Sequence, residues 1–224
     1  MNPDKCFFLH FIPTNSKKID IPTYKMAGKP LIRKKEANDL GVTITDDFKF
    51  HRHIQKICST TKNEINRIGR SFTTRTYPFL TNLYKTYVRP HIEYCGNVWN
   101  PTYQGDIQKI EKVQNKFTRL MNYGRVLPPE ERNRLLKLTT HHERRERGDM
   151  IATYKMINNP KLFTPKKVIR GHENNINLPR YQTNIRKHSF SVRVVKKWND
   201  LPNEIVTTKS VNQFKNAYDK HSRI

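Results

Sequence analysis

The stretch Leu80–Trp99 has the sequence LTNLYKTYVRPHIEYCGNVW and is the largest apolar and aromatic block in the chain. Its apolar side chains recur at steps of three and four, which places them on one face of a helix. They are Leu80, Leu83, Tyr84, Tyr87, Val88, Ile92, Cys95, Val98 and Trp99. Pro90 removes one backbone donor inside this pattern, so we expect a kink or a break near Arg89. The block predicts a core helix on which neighbouring helices pack.

Charge is the strongest compositional signal. The 224 residues include 43 Lys and Arg against 19 Asp and Glu, which gives a formal net charge of +24. Only 35% of the residues are hydrophobic, a fraction that predicts a modest core with polar connections. So large a charge opposes a compact state unless an anion neutralises it. It favours nucleic acid as the partner over a membrane surface or an acidic protein.

Two further features predict the cellular compartment. No apolar run approaches the roughly 20 residues that a bilayer-spanning helix needs, and the N-terminus lacks the cleavage site of a signal peptide. Cys6, Cys58 and Cys95 are odd in number and widely spaced, which is typical of reduced cysteines in an intracellular protein. We therefore predict a protein of the nucleus or cytoplasm that is not secreted and makes no membrane contact.

The residues around the Leu80–Trp99 block predict a small helical bundle. Helical periodicity extends over 51–72 and 104–123, and a short helix is expected over 130–138 after Pro128 and Pro129. Helices with one apolar face each, joined by short connections, are expected to pack together. Before them, residues 6–12, 20–26 and 40–44 are rich in strand-forming residues and are expected to pair as an antiparallel sheet.

The C-terminal part predicts looser helices. Thr140 and Glu143 fit a capping box that opens a helix to about Asn158, and Ser210 with Gln213 fits a second one. Residues 160–188 contain three prolines and little periodicity, so we expect a loop there, followed by a helix over 189–201. The chain thus predicts a mainly α fold in three parts, 1–50, 51–138 and 139–224.

Three motifs resemble catalytic or metal sites, and each has a simpler explanation. Adjacent carboxylates such as Asp46 and Asp47 can hold Mg²⁺, but no second acidic cluster lies near them, which favours a solvated turn. His141 and His142 do not share a helix face, and the capping box accounts for Glu143. The cysteines and histidines lack zinc-site spacing. We predict no catalytic residue, no metal site, no cofactor and no small-molecule substrate.

Clustered cations are the candidate binding residues. They form three groups: Lys109, Lys112, Lys116 and Arg119; Arg144, Arg145 and Arg147; and Arg193, Lys196 and Lys197. Like charges one helical turn apart repel each other unless phosphates neutralise them. The second group also opposes the helix dipole, because it lies near a helix N-terminus. The alternative for any single residue is a solvated charge with no ligand.

The sequence resembles one known family. Leu83–Cys95 followed by Val98–Pro101 is similar to the region after the polymerase palm in reverse transcriptases of jockey-like non-LTR retrotransposons. The likeness continues in the same order over nearly the whole chain. The other matching segments are Asn2–Cys6, Asp39–Val42 with Phe50, His53 and Ile54, Asp106-Ile107, Ile110–Gln114, Phe117–Arg119, Arg144-Arg145, Gly148–Met150, Tyr154-Lys155, Arg170–His172, Asn184–Arg186, Phe190–Arg193, Trp198–Pro202 and Phe214-Lys215.

The resemblance implies an RNA-directed DNA polymerase. It assigns 1–50 to the end of the palm and the hairpin into the thumb, 51–138 to a three-helix thumb-like bundle, and 139–224 to the region after the thumb. In this family the thumb grips the template–primer duplex, while palm aspartates in an aromatic-x-Asp-Asp motif hold two Mg²⁺ ions. The chain has no such motif, and Asp46-Asp47 lies in the wrong place and context.

The expected function is therefore that of a truncated reverse transcriptase that binds RNA, DNA or an RNA–DNA hybrid and does not polymerise alone. The start at Met1 and the missing endonuclease suggest a shortened element. Two alternatives remain open: an inactive fragment with no independent function, and a basic nucleic-acid-binding protein adopted by the host. A continuous upstream frame containing the palm motif would favour an intact enzyme. The oligomeric state is not predicted.

Overall fold

A computed structural model describes residues 6–11, 20–122, 124–159 and 174–222. The fold is mainly α, as predicted, with short strands before residue 46. Within the described ranges, no helix has the length and apolar character that crossing a membrane requires. Several predictions fall outside these ranges, among them Asn2–Lys5, Tyr123, the first part of the 160–188 loop and Arg170–His172.

The N-terminal strands form three separate pairs. They are β1 (Phe7–Phe8), β2 (Lys25–Met26), β3 (Lys29–Pro30), β4 (Ile32–Arg33), β5 (Glu36–Asp39) and β6 (Val42–Thr45). Strand β1 pairs in parallel with β4, while β2–β3 and β5–β6 are antiparallel hairpins.

The expected single antiparallel sheet is therefore wrong, and the hairpin turns explain why. Ala27-Gly28 and Leu40-Gly41 all have positive φ, between 44° and 84°. Two successive residues of positive φ make the tight two-residue turn that returns a strand onto its immediate neighbour. The segments 20–26 and 40–44 thus each pair with the strand next to them in sequence, whereas β1 pairs with β4, so the three predicted segments do not pair with one another.

A first core joins the β5–β6 hairpin to the helices that follow it. Its helices are α1 (His51–Ser71), α2 (Tyr77–Leu83), α3 (Arg89–Glu93), α4 (Gly96–Trp99), α5 (Gln104–Thr118) and α6 (Pro129–Leu135). Trp99, Tyr84 and Phe117 are completely buried at its centre. The rings of Tyr84 and Phe117 lie 5.0 Å apart, so the Leu80–Trp99 block packs directly on α5.

The break expected near Arg89 takes the form of a π-helical turn, Tyr84–Val88. The Arg89 N–H donates to the Tyr84 carbonyl, five residues back, which widens the helix directly before Pro90. The buried positions from this turn onward follow one another at steps of four residues, from Tyr84 to Val88 to Ile92. Tyr87, predicted to face the core, is consequently turned outward and is 48% exposed.

A second break follows at Cys95, whose φ is +52°. This left-handed residue ends the helical register of the block, and α4 starts anew at Gly96. Trp99 stays buried, and its indole N–H donates to the Tyr94 carbonyl at 2.7 Å. Val98, the other incorrect core prediction, is 57% exposed because α4 no longer continues the periodicity of the preceding turns.

Helix α5 ends at Thr118, earlier than the periodicity predicted, because the buried Arg132 organises the chain after it. The Arg132 guanidinium donates to the Thr118 hydroxyl at 2.9 Å and to the Gly124 carbonyl at 3.1 Å. These carbonyl and hydroxyl acceptors replace a carboxylate partner for the buried cation. The chain is thereby folded back towards α6.

A second core lies in the C-terminal part. Its elements are α7 (His141–Ile157), α9 (Phe190–Asn199), α10 (Asn203–Val206) and α11 (Val211–Ser222), preceded by the short α8 (Asn184–Lys187). Trp198 and Phe214 are fully buried there, and the rings of Tyr154 and Phe214 stack at 4.5 Å. The buried residues of the first core extend from Val42 to Leu138, and those of the second from Met150 to Tyr218. The division of the chain into parts at residues 50 and 138 stays a prediction.

The helix starts of this region follow the sequence signals. The Thr140 hydroxyl accepts from the Glu143 N–H at 3.2 Å, and Glu143 accepts from the Thr140 N–H at 2.8 Å, which confirms the first capping box. At the second, Ser210 accepts from the Gln213 N–H, while the Gln213 side chain accepts from Lys209. In the predicted loop, residues 174–183 form no helix or strand.

Candidate nucleic-acid interface

Four of the predicted cations form a stripe along α5. Lys109, Lys112, Lys116 and Arg119, hereafter the α5 stripe, follow one another at steps of three, four and three. Positions with this spacing lie on one helix face. Another face of α5 carries Ile110, Val113 and Phe117, which are completely buried, so the packing of α5 turns the stripe away from the core.

Three members of the stripe lack an acidic partner among the residues that the structure describes. Within the described residues, no carboxylate lies within 4 Å of the charged groups of Lys112, Lys116 and Arg119. Lys109 is different, because its ammonium contacts Asp106 at 2.9 Å. Asp106 is itself buried and also accepts a hydrogen bond from the imidazole of His51.

Arg144 and Arg147 on α7 are paired within the chain. The Arg144 guanidinium forms a two-pronged ion pair with Glu93 of α3. Arg147 does the same with Asp219 of α11, at 2.5 and 2.8 Å. Fork-shaped pairs of this kind are among the strongest charge-assisted hydrogen bonds. The hydrogen bond to Glu93 keeps the pKa of Arg144 above its ordinary value.

Arg145 lies inside the protein. Its side chain donates to the Asn100 amide oxygen at 3.0 Å, and one terminal nitrogen finds no hydrogen-bond acceptor among the described residues. Burial lowers the pKa of Arg145, although the carboxylates of Glu111 and Asp149 act in the opposite direction. The Arg145 guanidinium therefore contacts neighbouring helices and is not accessible to a phosphate backbone in this conformation.

Arg193 on α9 is similarly engaged. Its guanidinium donates to both oxygens of Asp149, at 2.8 and 2.9 Å, and to the Asn97 carbonyl at 2.8 Å. Lys197 donates to Glu146. Lys196 is exposed, and the described residues supply no carboxylate partner to it.

These pairs account for the basic cluster at the start of α7. The sequence placed three arginines where the helix dipole disfavours cations. Glu93 of α3 and Asp219 of α11 supply negative charge from other helices, to Arg144 and Arg147 respectively. The three predicted groups therefore differ: the α5 stripe projects outward, whereas the α7 group and much of the α9 group hold helices together. Which of them touches nucleic acid stays a prediction.

His141 belongs to a buried polar network. The Tyr84 hydroxyl donates to the Gln114 amide oxygen at 2.7 Å and lies 3.0 Å from the His141 Nε2. Burial, reinforced by nearby Arg145, Arg89 and Arg144, lowers the pKa of His141 to about 3. The imidazole is thus neutral at pH 7. Because the Tyr84 hydroxyl hydrogen is used on Gln114, the His141 Nε2–H donates to the Tyr84 oxygen. In the described part of the chain, no group of three or more His, Cys, Asp or Glu side chains is arranged to hold a metal ion.

Asp47 shapes the turn before α1. Its carboxylate accepts hydrogen bonds from the Thr45 hydroxyl at 2.6 Å and from the Lys49 N–H at 3.0 Å. Partial burial raises the pKa of Asp47, but these two hydrogen bonds together with electrostatic interactions with Lys49 and His51 outweigh that effect, and the net pKa lies below its ordinary value. The predicted turn is present. The residue that it presents, Phe48, has a φ of +54° and is 42% exposed.

A groove that sequence reasoning missed lies beside this turn. Its volume is about 610 Å³, and three separated segments line it, namely 48–54, 97–106 and 184–190, with Met156. Its walls include Phe48, Phe50, Tyr103 and Phe190. The alternation Phe48-Lys49-Phe50 was the one local sign of this groove, because basic and aromatic residues interleave there. The other lining segments are distant in sequence and come together only in the folded chain.

Comparison with known proteins adds no relative. No family model matches the chain, and no curated protein or solved structure matches it significantly. Membership of the reverse transcriptase family therefore stays a prediction from the sequence resemblance.

Proposed function

We propose that this chain binds nucleic acid through its phosphate backbone, with the α5 stripe as the principal contact. The observation that carries the proposal is the set of three cations on one helix face for which the described residues offer no carboxylate. Like charges one turn apart are mutually unfavourable on a helix. A polyanion removes this repulsion and gains from a net charge of +24.

The dimensions of the stripe suit a polyphosphate strand. Lys109 lies on α5, and Arg119, ten positions further along, directly follows its last residue and keeps helical backbone angles. This spacing corresponds to about 15 Å along a helix axis. One strand of a duplex presents a phosphate about every 3.4 Å of axial rise, so about four phosphates occupy that length. Lysine and arginine contacts to phosphate carry no sequence information by themselves. We therefore propose binding that depends little on base sequence.

The sequence resemblance refines the proposal. It supports a role as the thumb-like part of a non-LTR retrotransposon reverse transcriptase, with an RNA–DNA hybrid or another template–primer duplex as the ligand. The Mg²⁺ chemistry of that family does not fit the described residues, because the Asp47 carboxylate is hydrogen-bonded to the Thr45 hydroxyl and the Lys49 N–H within the turn. The chain is proposed to bind and not to polymerise alone.

The test is the affinity of the purified chain for a short blunt RNA–DNA hybrid, measured by fluorescence anisotropy over a salt series. We expect log Kd to rise linearly with log salt, because each neutralised phosphate releases a counterion. Tight binding with such a slope supports the proposal. Weak binding, or binding that salt does not change, would instead leave a fragment with no activity of its own.

A further inference from the structure

The groove beside the Asp47 turn combines apolar walls with exposed rings. Tyr103 is 48% and Phe48 is 42% exposed, and both line it. Val98 and Ile185 expose apolar surface to the same space. Its volume of about 610 Å³ lies within the range of clefts that enclose ligands, about 300–1,000 Å³. Rings that remain accessible in such a space offer flat faces on which another aromatic group can stack.

The charge around the groove selects an anionic ligand. Lys49, Arg186 and His188 are among the residues that line it. Asp106 is the single carboxylate in the described lining, and it pairs with the Lys109 ammonium at 2.9 Å and accepts a hydrogen bond from His51. A ligand that fits must therefore combine flat aromatic groups with negative charge, and nucleotides of a single strand have both properties.

Phe48, which lines the groove, has an unfavourable backbone conformation. A bulky residue with positive φ is strained, and Phe48 is kept at +54° by the hydrogen bonds of Asp47 to Thr45 and Lys49. The Phe48 ring packs edge-on against Phe11 and Phe50 at 5.0 and 5.7 Å. The turn thus fixes the direction of a ring that still exposes part of its surface.

We propose that this groove accepts unpaired bases of a single-stranded nucleic acid, which stack on Tyr103 and Phe48 while Lys49 and Arg186 contact the flanking phosphates. This inference rests on the proposed function and assigns to the same chain a second, separate contact. The α5 stripe contacts the backbone of a duplex, and the groove takes a single strand.

The test compares two ligands and three tyrosine variants. Kd is measured for a labelled oligouridylate and for a blunt RNA–DNA hybrid. Tyr103→Ala removes a groove ring, Tyr103→Phe keeps it, and Tyr87→Ala removes a ring that is equally exposed, 48%, but does not line the groove. Phe48→Ala is the second groove variant, and circular dichroism verifies that each variant is folded.

We expect Tyr103→Ala and Phe48→Ala each to weaken oligouridylate binding roughly 5- to 150-fold, the loss associated with one stacked base. Their affinity for the hybrid should change by less than about twofold. Tyr103→Phe and Tyr87→Ala should bind both ligands as the unmodified chain does.

The outcomes separate the two proposals. If the unmodified chain binds the hybrid with a salt slope and folded groove variants bind oligouridylate as tightly as Tyr87→Ala does, the groove proposal is overturned and the proposed function stands. If the unmodified chain binds neither ligand, both are overturned. A concentration-dependent dimer that Phe48→Ala dissociates would assign the groove to a second copy of the chain and would also overturn the inference.

Discussion

Neutralising the α5 stripe is the most direct perturbation. The variant Lys109→Gln, Lys112→Gln, Lys116→Gln and Arg119→Gln removes four cations from one face and lowers the formal net charge from +24 to +20. Glutamine has nearly the same helix propensity as lysine and arginine, so α5 should keep its structure. The buried face of the helix is unchanged.

The expected magnitude follows from the contacts of the stripe. Each phosphate contact contributes about 0.9 to the log–log salt slope of a duplex. Because Lys109 also pairs with Asp106, the stripe supplies about three to four contacts, and the slope should become shallower by about 2.7–3.6. Between about 50 and 200 mM salt, this difference corresponds to about 40- to 150-fold in affinity.

The assay is fluorescence anisotropy with the blunt RNA–DNA hybrid across that salt range. A matched control changes Lys56, Lys85, Lys155 and Lys220 to Gln. These four lysines are exposed on four different elements, and their removal lowers the net charge by the same amount. If charge density on α5 matters, the control keeps most of the slope. Equal slopes in the two variants would refute the stripe as the contact and leave only a general charge effect.

Three other predictions concern stability and reactivity. Trp99→Ala should lower the free energy of unfolding by about 3–5 kcal/mol in urea titrations, because Trp99 is completely buried; a loss below about 1 kcal/mol would contradict its central position. His141→Gln should make the free energy of unfolding less sensitive to acid. In the unfolded chain His141 takes up a proton below its ordinary pKa of 6.5, whereas in the native protein its pKa is about 3. Acidification between these two values therefore favours the unfolded state and lowers native stability. The unmodified chain should lose up to about 1.4 kcal/mol per pH unit more than the variant, and parallel pH profiles would show that His141 is accessible to solvent. Cys58 should resist alkylation by iodoacetamide in the native state at about pH 8 and react after unfolding, since burial raises its pKa to about 11; peptide mass spectrometry that finds it alkylated in the folded chain would refute this.

Features that depend on neighbouring residues were predictable from the sequence. The capping box at Thr140 and the buried face of α5 follow from spacing, because each involves residues three or four positions apart. Pro90 indicated an interruption at the right place. The π-helical form of that interruption was not predictable, since it depends on how the widened turn packs against the core, and Tyr87 was consequently placed on the wrong face.

Features that depend on the folded chain were not predictable. Arg144 is paired with a residue 51 positions away and Arg147 with one 72 positions away. No local pattern distinguishes such arginines from the solvated cations of the α5 stripe. The groove has the same origin, because its walls come from segments that only folding brings together. The spacing of lysines and arginines indicates where the positive charge is concentrated, but not which cations form ion pairs inside the protein.

The internal ion pairs of α7 and α9 also affect how much the proposed nucleic-acid ligand would stabilise the native state. Arg144, Arg147 and Arg193 are held by carboxylates in the native state, and unfolding releases them. The denatured chain is therefore a polycation with more accessible charge than the native protein, and it competes for the same polyanion. A ligand that binds both states raises the melting temperature by less than its native affinity alone would give. The arginines that hold the helices together would thereby make the proposed nucleic-acid ligand bind the denatured chain as well.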